Sequence, residues 1–202
     1  QELDNGTKPE NIAFVSFSRK AAEEARDRSA EALNIGADQM VWFRTLHSFA
    51  FQNIGIGSKQ VLKGSDYNQL GRLLGLEFAS NSSLTMADGN LFSAGKGGDA
   101  YLSLIQLARV RGVSLERQFN DANDRRLYFQ QLKVVNQVLL DYKRDTGKID
   151  FVDMIEKFID EGDCPLLDVL IVDEAQDLSP MQWKMIHDVM KPRAKRVYFA
   201  GD

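Results

Sequence analysis

Acidic and amide side chains follow a short hydrophobic segment within residues 168–177, an arrangement suited to binding a metal ion and a water molecule. Residues 169–172, Val-Leu-Ile-Val, contain no polar residue, which is typical of a strand buried on both faces of a parallel sheet. Asp173 would then lie at the carboxyl edge of that sheet, where open α/β sheets bind ligands. In phosphoryl transfer, one acid at this position holds Mg²⁺ and a second orients the attacking water. Asp173 and Glu174 are of the residue type that these two roles require.

A purely structural interpretation explains the same residues. A strand can be followed by an acidic turn and a helix, with Asp177 or Ser179 as the N-cap and Pro180 as the first helical residue. Four apolar residues followed by Asp-Glu do not decide between the two interpretations. The decision depends on the other segments of the chain.

The composition indicates an ordinary globular protein of one or two domains, with 202 residues of which 44% are apolar and 27% charged. No apolar stretch is long enough for a membrane span or a secretory signal, so we expect a cytoplasmic protein with no membrane partner. The single cysteine, Cys164, excludes an internal disulfide and a cysteine-rich zinc site. The net charge of −4 does not exclude nucleic-acid binding, which needs only a local basic track.

Four clusters of basic residues are candidates for such a track. They are Arg19/Lys20, Arg109/Arg111, Lys143/Arg144/Lys148 and Lys191/Arg193/Lys195/Arg196. Taken singly, each cluster is more typical of a solvated helix face or of a helix C-terminus.

Hydrophobic periodicity predicts strands that alternate with helices at both ends of the chain and helices alone in between. The predicted strands are residues 12–17, 40–44, 169–172 and 196–200, and the predicted helices are residues 19–33, 49–54, 67–74, 100–109, 124–144, 151–159 and 181–190. Ser18 is the expected cap of the first helix and Gly36 its expected end. Residues 80–99 are expected to form a loop.

Two of these helices carry a stripe of residues that we expect to be buried. The small-residue stripe of the first helix is Ala22, Ala25, Ser29 and Leu33, and the stripe of the helix at 124–144 is Tyr128, Leu132, Val135, Leu139 and Tyr142. The layout predicts an α/β domain formed by residues 1–54 and 149–202, with a helical domain of residues 55–148 inserted into it.

The first two predicted strands also end in hydroxyl residues followed by a helix. The first ends in Ser16-Phe17 and continues into Ser18-Arg19-Lys20, and the second is followed by Thr45-Leu46-His47-Ser48. Backbone N–H groups at such helix starts attract anions such as phosphates. Taken alone, Phe17 is more often a core residue and His47 more often a structural histidine than a ligand.

The motifs at the strand ends resemble, in the same order, motifs Ia, Ib, II and the start of motif III of superfamily 1A DNA helicases of the UvrD/Rep/PcrA type. They are residues 14–22 (Phe-Val-Ser-Phe-Ser-Arg-Lys-Ala-Ala), 43–48 (Phe-Arg-Thr-Leu-His-Ser), 173–177 (Asp-Glu-Ala-Gln-Asp) and 199–202 (Phe-Ala-Gly-Asp). Gln176 distinguishes this motif II from that of DEAD-box RNA helicases. Residues 148–155, Lys-Ile-Asp-Phe-Val-Asp-Met-Ile, also resemble a segment upstream of motif II in the family.

The resemblance implies a RecA-like P-loop NTPase sheet, an incomplete domain 1A, with an inserted all-helical subdomain 1B. It also implies an ATP-dependent helicase that translocates on single-stranded DNA and unwinds duplexes at single-strand/double-strand junctions, with ATP and Mg²⁺. Asp173 would hold Mg²⁺, Glu174 would contact it through water and activate the attacking water, and Gln176 would sense the γ-phosphate. Asp202 would contribute to the nucleotide site.

The residues that would contact single-stranded DNA in this family come from motifs Ia and Ib. They are Ser16, Phe17, Ser18, Arg19, Lys20, Thr45, Leu46, His47 and Ser48. Phe17 could stack on a base, and the hydroxyl and basic residues could bind phosphates.

One departure from the family pattern is large, because no Gly-x-x-x-x-Gly-Lys-Ser/Thr P-loop occurs in the 202 residues. We therefore expect a fragment that lacks the P-loop and the second motor domain and that does not hydrolyse ATP alone. Two alternatives stay open, namely a non-catalytic DNA-binding module with a degenerate helicase fold and the motor portion of a helicase–nuclease.

Overall fold

A computed structural model describes residues 7–79 and 97–202 of the chain. The chain divides into two compact units. One comprises Gln1–Gly55 together with Ile155–Asp202, and the other comprises Ile56–Met154. Within the described ranges, no helix is both long enough and apolar enough to cross a membrane.

The first unit is built on a parallel sheet with the strand order β2-β1-β3-β4. The strands are β1 (Ile12–Ser16), β2 (Trp42–Thr45), β3 (Leu167–Val172) and β4 (Ala194–Phe199). The apolar residues of the two central strands, β1 and β3, are mostly buried, as their uninterrupted hydrophobic sequences require. The predicted parallel α/β class is confirmed, although β2 begins two residues later than expected and β4 two residues earlier.

Helix α1 (Arg19–Leu33) begins at the predicted cap, since the Oγ of Ser18 accepts a hydrogen bond from the N–H of Ala21 at 3.1 Å. The prediction that Gly36 ends this helix is wrong. Asn34 ends it in the left-handed conformation, with φ of 51°, which asparagine adopts more readily than most non-glycine residues. Of the predicted small-residue stripe only Ala22 is fully buried.

Three further α-helices lie wholly or partly in the described residues of the first unit. They are α2 (Leu46–Gln52), α7 (Phe151–Glu161) and α8 (Pro180–Lys184). Of the two possible caps of α8, the structure selects Ser179, whose Oγ accepts from the N–H of Gln182 while the Gln182 side chain accepts from the N–H of Ser179. Beyond α8 the chain continues as a π-helix over Met185–Met190, so the predicted helix at 181–190 is not α-helical throughout.

In the described residues of the second unit, four α-helices pack around an apolar core. They are α3 (Gly64–Leu74), α4 (Gly97–Arg111), α5 (Leu115–Ala122) and α6 (Phe129–Thr146). The single helix predicted at 124–144 is wrong at its start, because Asn123 ends α5 in the left-handed conformation and α6 begins only at Phe129. Tyr128 therefore precedes α6 and is 71% exposed, whereas the other four residues of its predicted stripe are buried.

The predicted loop at 80–99 lies mostly outside the described residues, which resume at Gly97. Gly97–Asp99 form the first turn of α4 rather than a loop. The Asp99 carboxylate accepts a hydrogen bond from the N–H of Ala79 at 3.0 Å. This contact between residues 20 positions apart is a tertiary reason for the helix to begin there.

Candidate functional site

The carboxyl ends of the four parallel strands lie along one edge of the sheet. Ser16 is paired with Thr45, and Val172 is paired both with Val15 and with Phe199. The acidic corner after β3 and the hydroxyl-bearing corners after β1 and β2 therefore share one edge of the sheet.

The acidic corner begins with a continuation of the sheet. The N–H of Asp173 donates to the carbonyl of Val15 at 2.9 Å, which extends the β3–β1 pairing by one residue. Glu174 then adopts the left-handed conformation, with φ of 50° and ψ of 46°, which costs a non-glycine residue about 1–2 kcal/mol. Asp173 is half-buried and Glu174 is exposed. The sharp turn leaves two successive carboxylates at an accessible sheet edge.

Two hydrogen bonds fix the conformation of this corner, one to the chain after β4 and one within the corner itself. The N–H of Ala175 donates to the carbonyl of Ala200 at 2.9 Å, which ties the turn to the chain that follows β4. The Nε2 of Gln176 donates to the Oε2 of Glu174 at 2.6 Å. Gln176 and Asp202 are exposed at this edge, as nucleotide-binding residues would have to be.

The two carboxylates of the corner are of the chemical type that binds Mg²⁺. Across residues 7–79 and 97–202, no group of three or more His, Cys, Asp or Glu side chains could hold a metal ion. Mg²⁺ is typically bound through one or two carboxylates together with water and phosphate oxygens. Asp173 and Glu174 supply that smaller donor set.

The corner after β1 combines a buried hydroxyl with exposed charges. Ser16 is 1% exposed, and its Oγ has no hydrogen-bond partner in the described part of the chain. Its side chain cannot contact DNA in this conformation, contrary to the prediction. Phe17 and Ser18 are half-buried, whereas Arg19 and Lys20 are exposed and form ion pairs with Glu23 and Glu24. Exposed ion pairs of this kind contribute little to stability, so Arg19 and Lys20 can exchange these carboxylates for other anions.

The corner after β2 is more enclosed than expected. Thr45 caps α2 by accepting a hydrogen bond from the N–H of Ser48 at 3.2 Å, and it is buried. Leu46 is 1% exposed and belongs to the core, so the predicted DNA contact of this residue would have to use its backbone groups. His47 and Ser48 are half-buried, and the Ser48 Oγ accepts a hydrogen bond from Arg44 at 3.3 Å.

Two of the basic clusters are used inside the second unit. Lys143, which is 9% exposed, lies 3.0 Å from Asp150, and Arg109 lies 3.1 Å from the same carboxylate. Asp153 is bonded to both cations as well. Burial alone would raise the pKa of Asp150, but the charges of Lys143 and Arg109 outweigh it and hold that pKa below its usual value. The Lys143 and Arg109 side chains therefore have structural partners.

Sequence reasoning missed this ion-pair cluster, formed by Arg109, Lys143, Asp150 and Asp153. The spacing of its acids was a usable signal, since two acids three residues apart at a helix start are typical of reciprocal capping. The structure has these bonds, from the N–H of Asp150 to the Asp153 carboxylate at 2.7 Å and from the N–H of Asp153 to the Asp150 carboxylate at 2.9 Å.

A third basic cluster lies away from the acidic corner. Lys195 and Arg196 are at the beginning of β4, and Lys195 forms an ion pair with Asp168 near the beginning of β3. The amino ends of parallel strands lie at the edge opposite to their carboxyl ends. Of the two basic clusters in the first unit, Arg19/Lys20 is therefore the one placed beside a motif at the carboxyl edge.

Comparison with known families agrees with these features. The family model of the UvrD/REP helicase N-terminal domain matches residues 2–202, and the chain belongs to this family. Membership confirms the resemblance inferred from the motifs, and it identifies the parallel sheet as that of a RecA-like helicase domain with a helicase-type function. No curated protein matches the chain.

Proposed function

We propose that this chain forms part of an ATP-dependent DNA helicase that moves along single-stranded DNA and unwinds duplexes at their junctions with single strands. The observation that carries the proposal is the shared carboxyl edge, which places the acidic corner after β3 next to the β1 corner. Nucleotide chemistry and strand binding would then occupy adjacent positions on one sheet.

At the acidic corner, Asp173 would hold Mg²⁺, and Glu174 would orient the attacking water and accept its proton. Bound Mg²⁺ would neutralise charge on the phosphate oxygens of ATP. The backbone bond from Asp173 to Val15 keeps the first carboxylate at the end of a buried strand. The left-handed turn at Glu174 brings the second carboxylate directly after it, at an exposed position that water can reach.

At the β1 corner, Arg19 and Lys20 would bind phosphates of the strand, and the first turn of α1 would add its N–H groups and its positive end. Phe17 is half-buried and would stack on a base only with its exposed part. His47 and Ser48, which are also half-buried, would bind the strand next to this corner. For Ser16, Thr45 and Leu46, backbone groups are the candidates for contact.

A direct structural link supports coupling between the two activities. The hydrogen bond from Asp173 to Val15 joins the acidic corner to the strand that leads into Phe17 and Ser18. A displacement of Asp173 on nucleotide binding or hydrolysis would therefore act on β1, which ends at the proposed DNA contacts.

The proposal is tested by Glu174→Gln in the complete protein that contains this chain. We expect ATP binding to be retained and turnover to fall by about 100-fold or more, because a general base contributes about 10²–10⁴-fold to such reactions. The measurements are phosphate release and equilibrium binding of a labelled nucleotide. Asp177→Asn is the matched control, since Asp177 is an exposed acid three residues further on.

Turnover of the Glu174→Gln protein close to that of the parent protein would refute the assignment of Glu174. A parent protein that binds single-stranded DNA without any ATP turnover would instead favour a non-catalytic DNA-binding module.

A further inference from the structure

The proposed catalytic carboxylate is held by a neighbouring side chain. Glu174 is exposed, and an exposed glutamate samples several rotamers unless a partner restricts it. The Nε2 of Gln176 supplies such a partner by donating a hydrogen bond to the Oε2 of Glu174 at 2.6 Å. A hydrogen bond to a charged acceptor is among the stronger ones in proteins. Gln176 thus limits the orientations of the Glu174 carboxylate and leaves the Oε1 of Glu174 for water.

The position of the Gln176 carboxamide depends in turn on Gly201. A Cβ atom added at residue 201 would lie 2.1 Å from the Oε1 of Gln176 and 3.3 Å from the backbone nitrogen of Ala175. The first distance is too short for any side chain at residue 201, so the carboxamide would have to move. Because Gln176 is a flexible exposed side chain, it can move without disturbing the fold.

A side chain at residue 201 is limited by the space beside Gln176 and not by backbone conformation. The glycines with positive φ in the described ranges are Gly55, Gly75, Gly112 and Gly147. Gly201 is not among them, so an alanine can adopt its backbone conformation. The bond from Ala175 to the carbonyl of Ala200 keeps the two chain segments in this close approach.

We infer that Gln176 and Gly201 are positioning residues for Glu174, with Gly201 providing the space in which the Gln176 carboxamide holds the carboxylate. The inference rests on the proposed function of Glu174. It assigns to Gly201, just after β4, a role in orienting the water-activating carboxylate of Glu174. Gly201 plays this role through Gln176 and not through contact with the nucleotide.

The test is a double-mutant cycle in the complete protein with Gly201→Ala, Gln176→Met and both changes together. Methionine retains the length of glutamine and lacks the donor. We expect each single change to lower kcat for ATP about tenfold to 100-fold, the loss expected for one hydrogen bond to a charged group, with KM changed much less. The double variant should have the kcat of Gln176→Met alone, because Gly201 acts only through the side chain that has been replaced.

Gly57→Ala is the matched control, since no atom lies within 4 Å of a Cβ at that residue and its φ is −93°. Circular dichroism and nucleotide binding establish that each variant is folded. Independent, multiplicative effects of the two changes on kcat would overturn the inference, as would an unchanged kcat in Gly201→Ala. If Glu174→Gln leaves turnover intact, the proposed function itself fails, and this outcome is separate from the result of the cycle.

Discussion

Replacing Asp150 by asparagine should destabilise the helical unit strongly. Asp150 is 1% exposed and accepts hydrogen bonds or ion pairs from Lys143 at 3.0 Å and from Arg109 at 3.1 Å. The ion-pair cluster contains two cations and two anions, so its formal charge is balanced. The substitution keeps the size of the side chain and leaves one positive charge without its counter-ion.

The magnitude follows from the burial of the cluster. Removing one partner of a buried ion pair costs about 3–5 kcal/mol. Arg109 is 21% and Asp153 19% exposed, so water screens part of the cluster and the lower end, about 3 kcal/mol, applies. With a urea dependence of roughly 2 kcal/mol per molar, the midpoint of unfolding should fall by about 1.5 M.

The assay is urea unfolding of the chain followed by the helical circular dichroism signal. The matched control is Asp141→Asn on α6, which removes a carboxylate that is paired with Arg144 at 2.8 Å on the surface. Exposed pairs of this kind contribute about 0.2–1 kcal/mol, so the control should shift the midpoint by 0.5 M or less, with the same urea dependence.

The pH dependence provides a second check with a defined sign. The folded-state pKa of Asp150 lies below its unfolded value, so its stabilisation is present above the unfolded pKa and is lost as the pH falls through the folded pKa. The stability difference between the parent chain and Asp150→Asn should therefore be largest near neutral pH and shrink in strong acid. Equal midpoint shifts for Asp150→Asn and Asp141→Asn would refute the structural role of the cluster.

Two further predictions concern the proposed DNA contacts at the β1 corner and the single thiol. Replacing Arg19 and Lys20 by alanine should weaken binding of the complete protein to single-stranded DNA and reduce the slope of log K against log salt by about 1.4, since each phosphate contact contributes about 0.7. A matched double change of Arg26 and Arg28, further along α1, should leave the slope nearly unchanged, and equal slopes for the parent and the Arg19/Lys20 variant would exclude this corner from the DNA path. Burial raises the pKa of the Cys164 thiol to about 11, so its alkylation at pH 8 should be slow in the folded chain and become fast in urea, because the thiolate is the reactive form. Rapid alkylation without urea would contradict the burial of this residue.

Local signals account for much of the agreement between sequence and structure. The apolar runs at β1 and β3, the cap Ser18 and the proline at the start of α8 act within a few residues of the chain, so their patterns can be read directly. For the cap of α8 the sequence left Asp177 and Ser179 open, and the structure selects Ser179. The carboxylates at 173 and 174 follow from the end of a buried strand in the same way. Boundaries were less predictable where a non-glycine residue ends a helix, as Asn34 and Asn123 do.

Other properties of the chain depend on contacts between residues that are distant in sequence. The sequence alone indicated that Ser16 lies at the end of the first strand and that Leu46 follows the second, both in helicase-like motifs. Only tertiary neighbours bury those two side chains. The same applies to the basic residues. Arg109 donates a hydrogen bond to Asp150, which lies 41 positions further along the chain, so Arg109 is no longer a candidate for DNA binding. The approach of Gly201 to Gln176 likewise exists only because β4 pairs with β3. Burial and charge pairing are set by whichever segments the sheet order and the helix packing bring together, and no local pattern contains that information.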